Sequence, residues 1–148
     1  MSDFRAGTDL QPPLGPAALG ILICYDGVFA KPSRRHVQRG ATLLVNLTND
    51  AWYGATSAPY QHRDFYVMRA IESSRWVVRA ANSGLTLAID PQGRIGTGPA
   101  LGESTAVVLP VQMLGADVQT FYAQHGELCL IACWMLVIVA GLRRARRL

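Results

Sequence analysis

Cys24 closes a short apolar run and is followed by Tyr25, Asp26 and Gly27. A cysteine placed where a strand turns into a helix is exposed at the end of a sheet, with backbone N–H groups close by to hold an oxyanion. Its thiol needs a neighbouring base or cation to ionise at neutral pH, and the thiolate is then the attacking group. Taken alone, a cysteine at a strand end also suits a buried structural role. A second group of polar and aromatic residues follows the next apolar run: Asn46, Asn49, Asp50, Trp52, Tyr53 and Gly54. Asn and Asp side chains shape such a loop by bonding to its backbone. An aromatic pair at its tip can wall a pocket; a capped turn with an anchoring Trp is the plainer reading.

The elements that must position these residues follow from the apolar pattern. Residues 19–24 and 41–47 read as buried strands. Between them, residues 28–39 are polar with apolar punctuation, and Gly40 stands where a helix C-cap residue is expected. Residues 58–75 have helical spacing, with Phe65, Met68, Ile71 and Ser74 on one face and Arg69, Glu72 and Arg75 at i, i+3. Such charge pairs suit an exposed helix surface. Residues 76–81 and 85–89 are strand-like and separated by Asn82-Ser83-Gly84, a turn signal; Asp90-Pro91-Gln92-Gly93 is another. Residues 105–111 read as the last strand. Strands alternating with helices predict an α/β layered domain with mostly buried strands. His36, His62 and His125 are scattered and read as polar surface or loop residues, with a Cys–His pair as the competing reading. Glu72, Arg75 and Arg79 are expected to order the domain rather than do chemistry.

Of 148 residues, 50% are hydrophobic and 16% charged, below the ~25% charge of an ordinary soluble domain. The apolar excess is concentrated in residues 128–142, which carry no charge. At ~1.5 Å per residue this run spans ~22 Å against a hydrocarbon core of ~30 Å. Phe121, Tyr122 and Ala123, together with snorkelling arginines, close most of the gap. The net charge of +4 comes from Arg143, Arg144, Arg146 and Arg147. A basic cluster directly after an apolar helix fits a cytoplasmic membrane anchor and gives no argument for nucleic acid. Cys24, Cys129 and Cys133 do not form a disulfide framework, and no histidine or further cysteine completes a zinc site around the last two. Residues 1–11 are polar, without the apolar core of a signal peptide.

The motifs taken together resemble a family. Ile23-Cys24-Tyr25-Asp26 is similar to the nucleophile motif of the nitrilase superfamily. Asn46 through Gly54, with Leu47-Thr48-Asn49-Asp50-Ala51-Trp52-Tyr53-Gly54, resembles the loop of the apolipoprotein N-acyltransferases within that superfamily. Gln61-His62, Arg69-Ala70-Ile71-Glu72, Arg75 and Arg79-Ala80-Ala81-Asn82-Ser83-Gly84 follow in the family's order, as do Thr120-Phe121-Tyr122, Gly126-Glu127, an apolar helix and a basic tail.

The resemblance implies part of a four-layer α-β-β-α sandwich followed by one C-terminal transmembrane helix. The expected divisions are the C-terminal half of a nitrilase-like domain over residues 1–117, a linker over 118–126, a transmembrane helix over 127–142 and a basic cytoplasmic tail over 143–148. It implies Cys24 as nucleophile with Tyr25 and Asp26 beside it, and a substrate pocket at Asn49, Asp50, Trp52 and Tyr53. The implied reaction moves an acyl chain from a membrane phospholipid through a cysteine thioester to the diacylglyceryl-cysteine of an apolipoprotein. No metal or organic cofactor is implied, and the implied place is the bacterial inner membrane with the domain facing the periplasm.

The sequence departs from the family at two points. The family's triad is Glu-Lys-Cys, and its Glu and Lys precede the region matched here; Lys31, the one lysine, follows Cys24. Asp26 stands where the family usually has Glu. The chain is therefore expected to depend on a missing N-terminal half of the same enzyme and to be inactive alone. A nitrilase-type amidase and an inactive membrane-anchored remnant are the competing readings.

Overall fold

The structure is a computed structural model in which residues 13–145 are described. β1 (Leu19–Ile23), β2 (Leu43–Asn49) and β3 (Val77–Asn82) are parallel neighbours, and β4 (Leu87–Ile89) pairs antiparallel with β3, giving the order β1-β2-β3-β4. Parallel neighbours need crossovers. α1 (Ala30–Gln38) joins β1 to β2, and α2 (Ala58–Ser73) joins β2 to β3. The predicted elements up to β4 are all present, with ends shifted by at most two residues. α1 ends as its sequence requires: Gly40 adopts φ +93°, and Ala41 N–H bonds back to the His36 carbonyl. α2 ends on Ser74 in the left-handed region.

Register decides which side chains share a face. One row runs Leu22, Asn46, Arg79, Leu87, and the next Gly20, Leu44, Val77, Ile89. Every one of these residues is buried, and Leu22, Leu44, Val77, Leu87 and Ile89 join Val37, Tyr66 and Ala70 from the helices in the core. The opposite face carries Ile23, Leu47 and Ala80 in one row, and all three are exposed. Among the described residues, the helices thus cover one face of the sheet and leave the other open, so the chain carries one α layer and one β layer of the expected sandwich.

Three expectations are corrected. Residues 105–111 form no strand and are largely exposed. Their alternation is strand-like, but a strand also needs a partner edge, and β3 already gives its second edge to the short β4. α2 is turned inside out relative to its apolar pattern: Phe65, Met68 and Ile71 point outward, while His62, Tyr66, Arg69 and Ser73 are buried. Its Arg69–Glu72 pair at 2.9 Å is accordingly partly buried rather than on an exposed surface. His36 and His62 are buried as well, whereas His125 is exposed. Burial lowers the His36 pKa from its ordinary value, opposed by a bond with the Ile21 backbone.

Residues 118–126, expected as a linker, contain the short α3 (Phe121–His125), and the domain grips this stretch. Arg75, fully buried, donates from Nη2 to the carbonyls of Gly115 (3.1 Å) and Val118 (2.6 Å) and from Nε to that of Ala41 (2.8 Å). Gln38 Nε2 donates to the Ala123 carbonyl at 2.8 Å, and Thr120 Oγ1 donates to the Glu72 carbonyl. Gly126 then turns the chain at φ +63° beneath the Arg34 guanidinium, and Tyr122 OH reaches across to Glu127 at 2.7 Å. α4 (Leu128–Ala145) follows; none of its residues is buried, and it is long and apolar enough to cross a membrane. It continues through Arg143 and Arg144, while Arg146 and Arg147 lie outside the described residues.

Candidate active site

The predicted chemistry gathers at the C-terminal ends of the three parallel strands, where α/β sheets commonly place their ligands. β1 runs into Cys24, β2 into the Asp50 loop, and β3 into Ser83 and Gly84. Cys24 opens a 3-10 turn over Cys24–Val28 and is partly buried. Its φ is +47°, a region that a residue with a Cβ occupies only when its surroundings hold it there. Asp26 supplies part of that hold: its Oδ2 accepts the Ile23 N–H at 2.9 Å across the turn. Its side chain shapes the elbow from outside, since the residue itself is exposed. Gly27 is required by packing, because a Cβ there would fall inside the Tyr66 ring.

The carbonyl of Cys24 is held from the core side. Tyr66 OH donates to it at 2.5 Å and Asn46 Nδ2 at 3.3 Å. Asn46 also donates to the Leu22 carbonyl at 3.1 Å, and its Oδ1 accepts from Arg79 Nε at 3.1 Å. Arg79 is fully buried at the centre of this arrangement. Its Nη2 meets Asp50 Oδ2 at 2.5 Å and its Nη1 donates to the Leu85 carbonyl at 3.1 Å. Asp50 in turn lies 3.1 Å from His62 Nδ1 and accepts from Thr48 Oγ1 at 3.0 Å. A buried arginine is tolerated where its charge is paired and its donors are used, and both hold here.

The other predicted residues fall into two groups. Asn49 is exposed and accepts from Ala51 N–H (3.1 Å) and Asn82 Nδ2 (3.4 Å), so it shapes the loop. Asp50 is buried in the ion network and also borders a cavity of about 200 Å³ with Ala51, Gly54, Ser83 and Leu101. Tyr25 and Trp52 stand out at the strand ends, Trp52 76% exposed. Tyr25, Tyr53 and Tyr66 surround the His62 ring at centroid distances of 5.6, 5.9 and 5.6 Å. Burial raises the Tyr53 pKa, with Tyr25, Asp50 and Cys24 adding to the effect, which places all four groups in one neighbourhood. Among the described residues no group of three His, Cys, Asp or Glu side chains gathers closely enough to hold a metal ion. A larger apolar groove of about 650 Å³ lies elsewhere, between Phe65 and Met68 on α2 and Ile95, and includes none of the predicted site residues.

Nothing in the sequence singled out Tyr66 as a neighbour of Cys24, and His62, open there to a Cys–His reading, packs on the Tyr25 ring and bonds Asp50. Arg79 had one legible signal, a charge inside the apolar run Val77-Val78-Arg79-Ala80-Ala81, which implies a buried counter-ion.

The carbon-nitrogen hydrolase family model matches residues 4–120, which include the elbow, the Asp50 loop and all four strands. The chain belongs to the carbon-nitrogen hydrolase family. Among solved members, a carbon-nitrogen hydrolase from Helicobacter pylori G27 superposes with a TM-score of 0.58 at 12% identity, over 68% of this chain and 43% of that one. An amidase from Nesterenkonia sp. superposes at 0.56 and 23% identity, over 88% and 49%. These likenesses establish the nitrilase-like α/β fold. Curated relatives named apolipoprotein N-acyltransferase are similar in sequence over nearly the whole chain. That of Geobacter metallireducens is 41% identical over 90% of this chain and 25% of its own length. That of Gloeobacter violaceus is 40% identical over 95% and 27%, and that of Shewanella oneidensis 38% over 99% and 29%. The chain therefore spans about a quarter of the length of these relatives.

Proposed function

We propose that this chain is the cysteine-bearing part of an apolipoprotein N-acyltransferase, which moves an acyl chain from a membrane phospholipid to the N-terminal diacylglyceryl-cysteine of a lipoprotein. The observation that carries this reading is the joining, on one chain, of the strained Cys24 elbow to a helix long enough to cross a membrane, through a stem that the domain grips. The 38–41% identity to relatives of that name supports it.

In the proposed reaction the Cys24 thiolate attacks the carbonyl carbon of a phospholipid ester, and the electron pair moves onto the carbonyl oxygen. Collapse breaks the ester C–O bond; the lysophospholipid leaves as an alkoxide that takes a proton, and a thioester remains on Cys24. The acceptor's α-amino group attacks the thioester, the C–S bond breaks, an amide forms, the amine loses its proton and the thiolate returns. This is two acyl transfers at one sulfur. The first N–H groups of the 3-10 turn, which have no partner within the turn, are the donors for the oxyanion. Asp26 acts by holding the elbow, and the exposed Tyr25 and Trp52, with Tyr53 and the Asn49–Asp50 loop, line the approach of the acyl chain. No cofactor is needed. A Glu and a Lys from outside residues 1–148 supply proton transfer and positive charge, on the segment that packs against the open sheet face. α4 crosses the inner membrane with its arginines in the cytoplasm and the domain in the periplasm.

An amidase is the second reading, favoured by the fold likeness to the Nesterenkonia enzyme; α4 speaks against it. The test uses full-length protein containing this chain, in detergent, with a fluorescent phospholipid. Acyl-enzyme on Cys24 that is discharged by a diacylglyceryl-cysteine peptide is expected. Turnover of small amides without acylation by phospholipid would overturn the reading. The same assay on residues 1–148 alone should give little acyl-enzyme, and a topology reporter after Leu148 should read cytoplasmic.

A further inference from the structure

Cys24 holds a φ of +47°, a strained conformation that must be enforced from outside the residue. The enforcing contacts converge on one atom, its carbonyl oxygen, which receives Tyr66 OH at 2.5 Å and Asn46 Nδ2 at 3.3 Å. Tyr66 is fully buried, its ring rests on Gly27, and the Arg79 guanidinium lies 5.7 Å from its centroid. Asn46 is oriented by Arg79 Nε. Neither donor can turn away without disturbing the core.

The peptide joining Cys24 to Tyr25 is trans, as are all peptides among the described residues. In a planar trans peptide the C=O and the following N–H point in opposite directions. A carbonyl drawn inward to Tyr66 and Asn46 therefore sends the Tyr25 N–H outward, on the side where the Tyr25 ring is exposed. That N–H lies in the first turn of the 3-10 helix, where no partner exists within the helix. It also belongs to the residue after the nucleophile, the position from which a backbone N–H reaches a tetrahedral oxyanion on the attacked carbon. Burial holds the Tyr66 phenol above its ordinary pKa, so the hydroxyl stays a donor at working pH.

We propose that Tyr66 is a positioning residue for acyl transfer: its hydroxyl, with the Asn46 amide, turns the Cys24 carbonyl inward and so aims the Tyr25 N–H at the oxyanion. The proposal rests on the acyl-transfer reading above and adds a residue that never touches the substrate.

The experiment compares Tyr66→Phe with the unaltered full-length protein, in detergent, by two reactions at the same sulfur. Acylation by a fluorescent phospholipid passes through an oxyanion; alkylation by iodoacetamide is a displacement at saturated carbon and forms none. The variant keeps the ring over Gly27 and loses one hydrogen bond, read as a small shift in melting temperature. Loss of a direct oxyanion donor costs ~100-fold or more, so misaiming one is expected to lower kcat for acylation by about 10-fold at unchanged KM. Alkylation should stay within about twofold, as no oxyanion donor takes part. Equal loss in both reactions would mean that Tyr66 sets the thiol rather than the N–H, and no loss in either would mean that it sets nothing; both results overturn the proposal. Should the unaltered protein fail to take acyl chains from phospholipid, the acyl-transfer reading falls separately. The same ratio is then read with a p-nitrophenyl acyl ester, which also forms an oxyanion on Cys24, and absence of acylation by that ester overturns the proposal too. If Tyr66→Phe does not fold, 3-fluorotyrosine at position 66 changes the donor strength without the shape, and an unchanged acylation-to-alkylation ratio is the overturning result.

Discussion

Leu44 and Leu47 lie on the same strand, yet Leu44 is fully buried against the helices and Leu47 is 45% exposed on the opposite face. The contrast extends along the sheet. The helix-covered face mixes apolar side chains with Asn46 and Arg79, all fully buried, while the open face shows Ile23, 55% exposed, Leu47 and Ala80 with no charge among them. A solvent-facing sheet surface is normally polar. Here the charged Arg79 is inside, while Ile23, Leu47 and Ala80 stand outside, with Asn49 and Asn82 adding polarity to the open face only at the strand ends. The difference separates two tasks: the covered face holds the Cys24 backbone in a costly conformation, and the open face, on the proposed reading, is where another layer would join.

Cys24 stands where the two faces meet, and its removal gives the largest effect. In full-length protein Cys24→Ala should end acyl-enzyme formation, while Cys129→Ala and Cys133→Ala, both exposed on α4, should leave it near normal; intact-protein mass spectrometry after incubation with phospholipid separates the outcomes. Next is the polar centre of the covered face. Arg79→Met leaves Asp50 buried without its cation and should cost ~3–5 kcal/mol in denaturant unfolding. Tolerance of that change would show that the network is dispensable. The paired leucines test the comparison directly. Leu44→Ala should cost ~2–5 kcal/mol, because it opens a cavity. Leu47→Ala, measured on the same chain, should stay within ~0.5 kcal/mol. In full-length protein Leu47→Asp should nonetheless impair assembly, since it puts a charge into the joint between the layers. Equal costs for the two alanine variants would abolish the distinction between the faces.

The smallest effect concerns pH. His36 is buried under the covered face, and burial, aided by Arg39 and opposed by the Ile21 backbone and Asp26, lowers its pKa. A lowered native value means that the unfolded chain binds the proton more readily. The contribution of neutral His36 is therefore complete above the unfolded value near pH ~6.5 and is lost as pH falls from there through the lowered native value. His36→Gln should flatten that acid limb in melting curves taken across pH 5–7.

Much of the site was legible before the structure. Cys24 after an apolar run gave the elbow, and the Asn49–Tyr53 loop gave its neighbour, because nucleophile turns and Asx-shaped loops are local and leave local signatures. β1, β2 and β3 were legible as apolar runs. The supports were not. Phe65, Met68 and Ile71 have core spacing on α2, but the helix is turned by contacts made far along the chain: His62 with Asp50, Tyr66 with the Cys24 carbonyl, Arg69 with the Val28 carbonyl. Spacing within a helix cannot report partners on other elements. Residues 105–111 failed for the same reason, since alternation does not reveal whether a sheet edge is free.

The grip on α3 has a mechanical consequence. A flexible tether of the same length would let the Cys24 end of the sheet wander over a hemisphere above α4. Arg75, Gln38 and Thr120 remove that slack before α4 begins, and the Tyr122–Glu127 bond stiffens the bend at Gly126. If α4 anchors the protein as proposed, Cys24 would ride at a fixed height and tilt. On the proposed function, a search for lipid would then be a glide in a plane, in which every encounter arrives from the same direction.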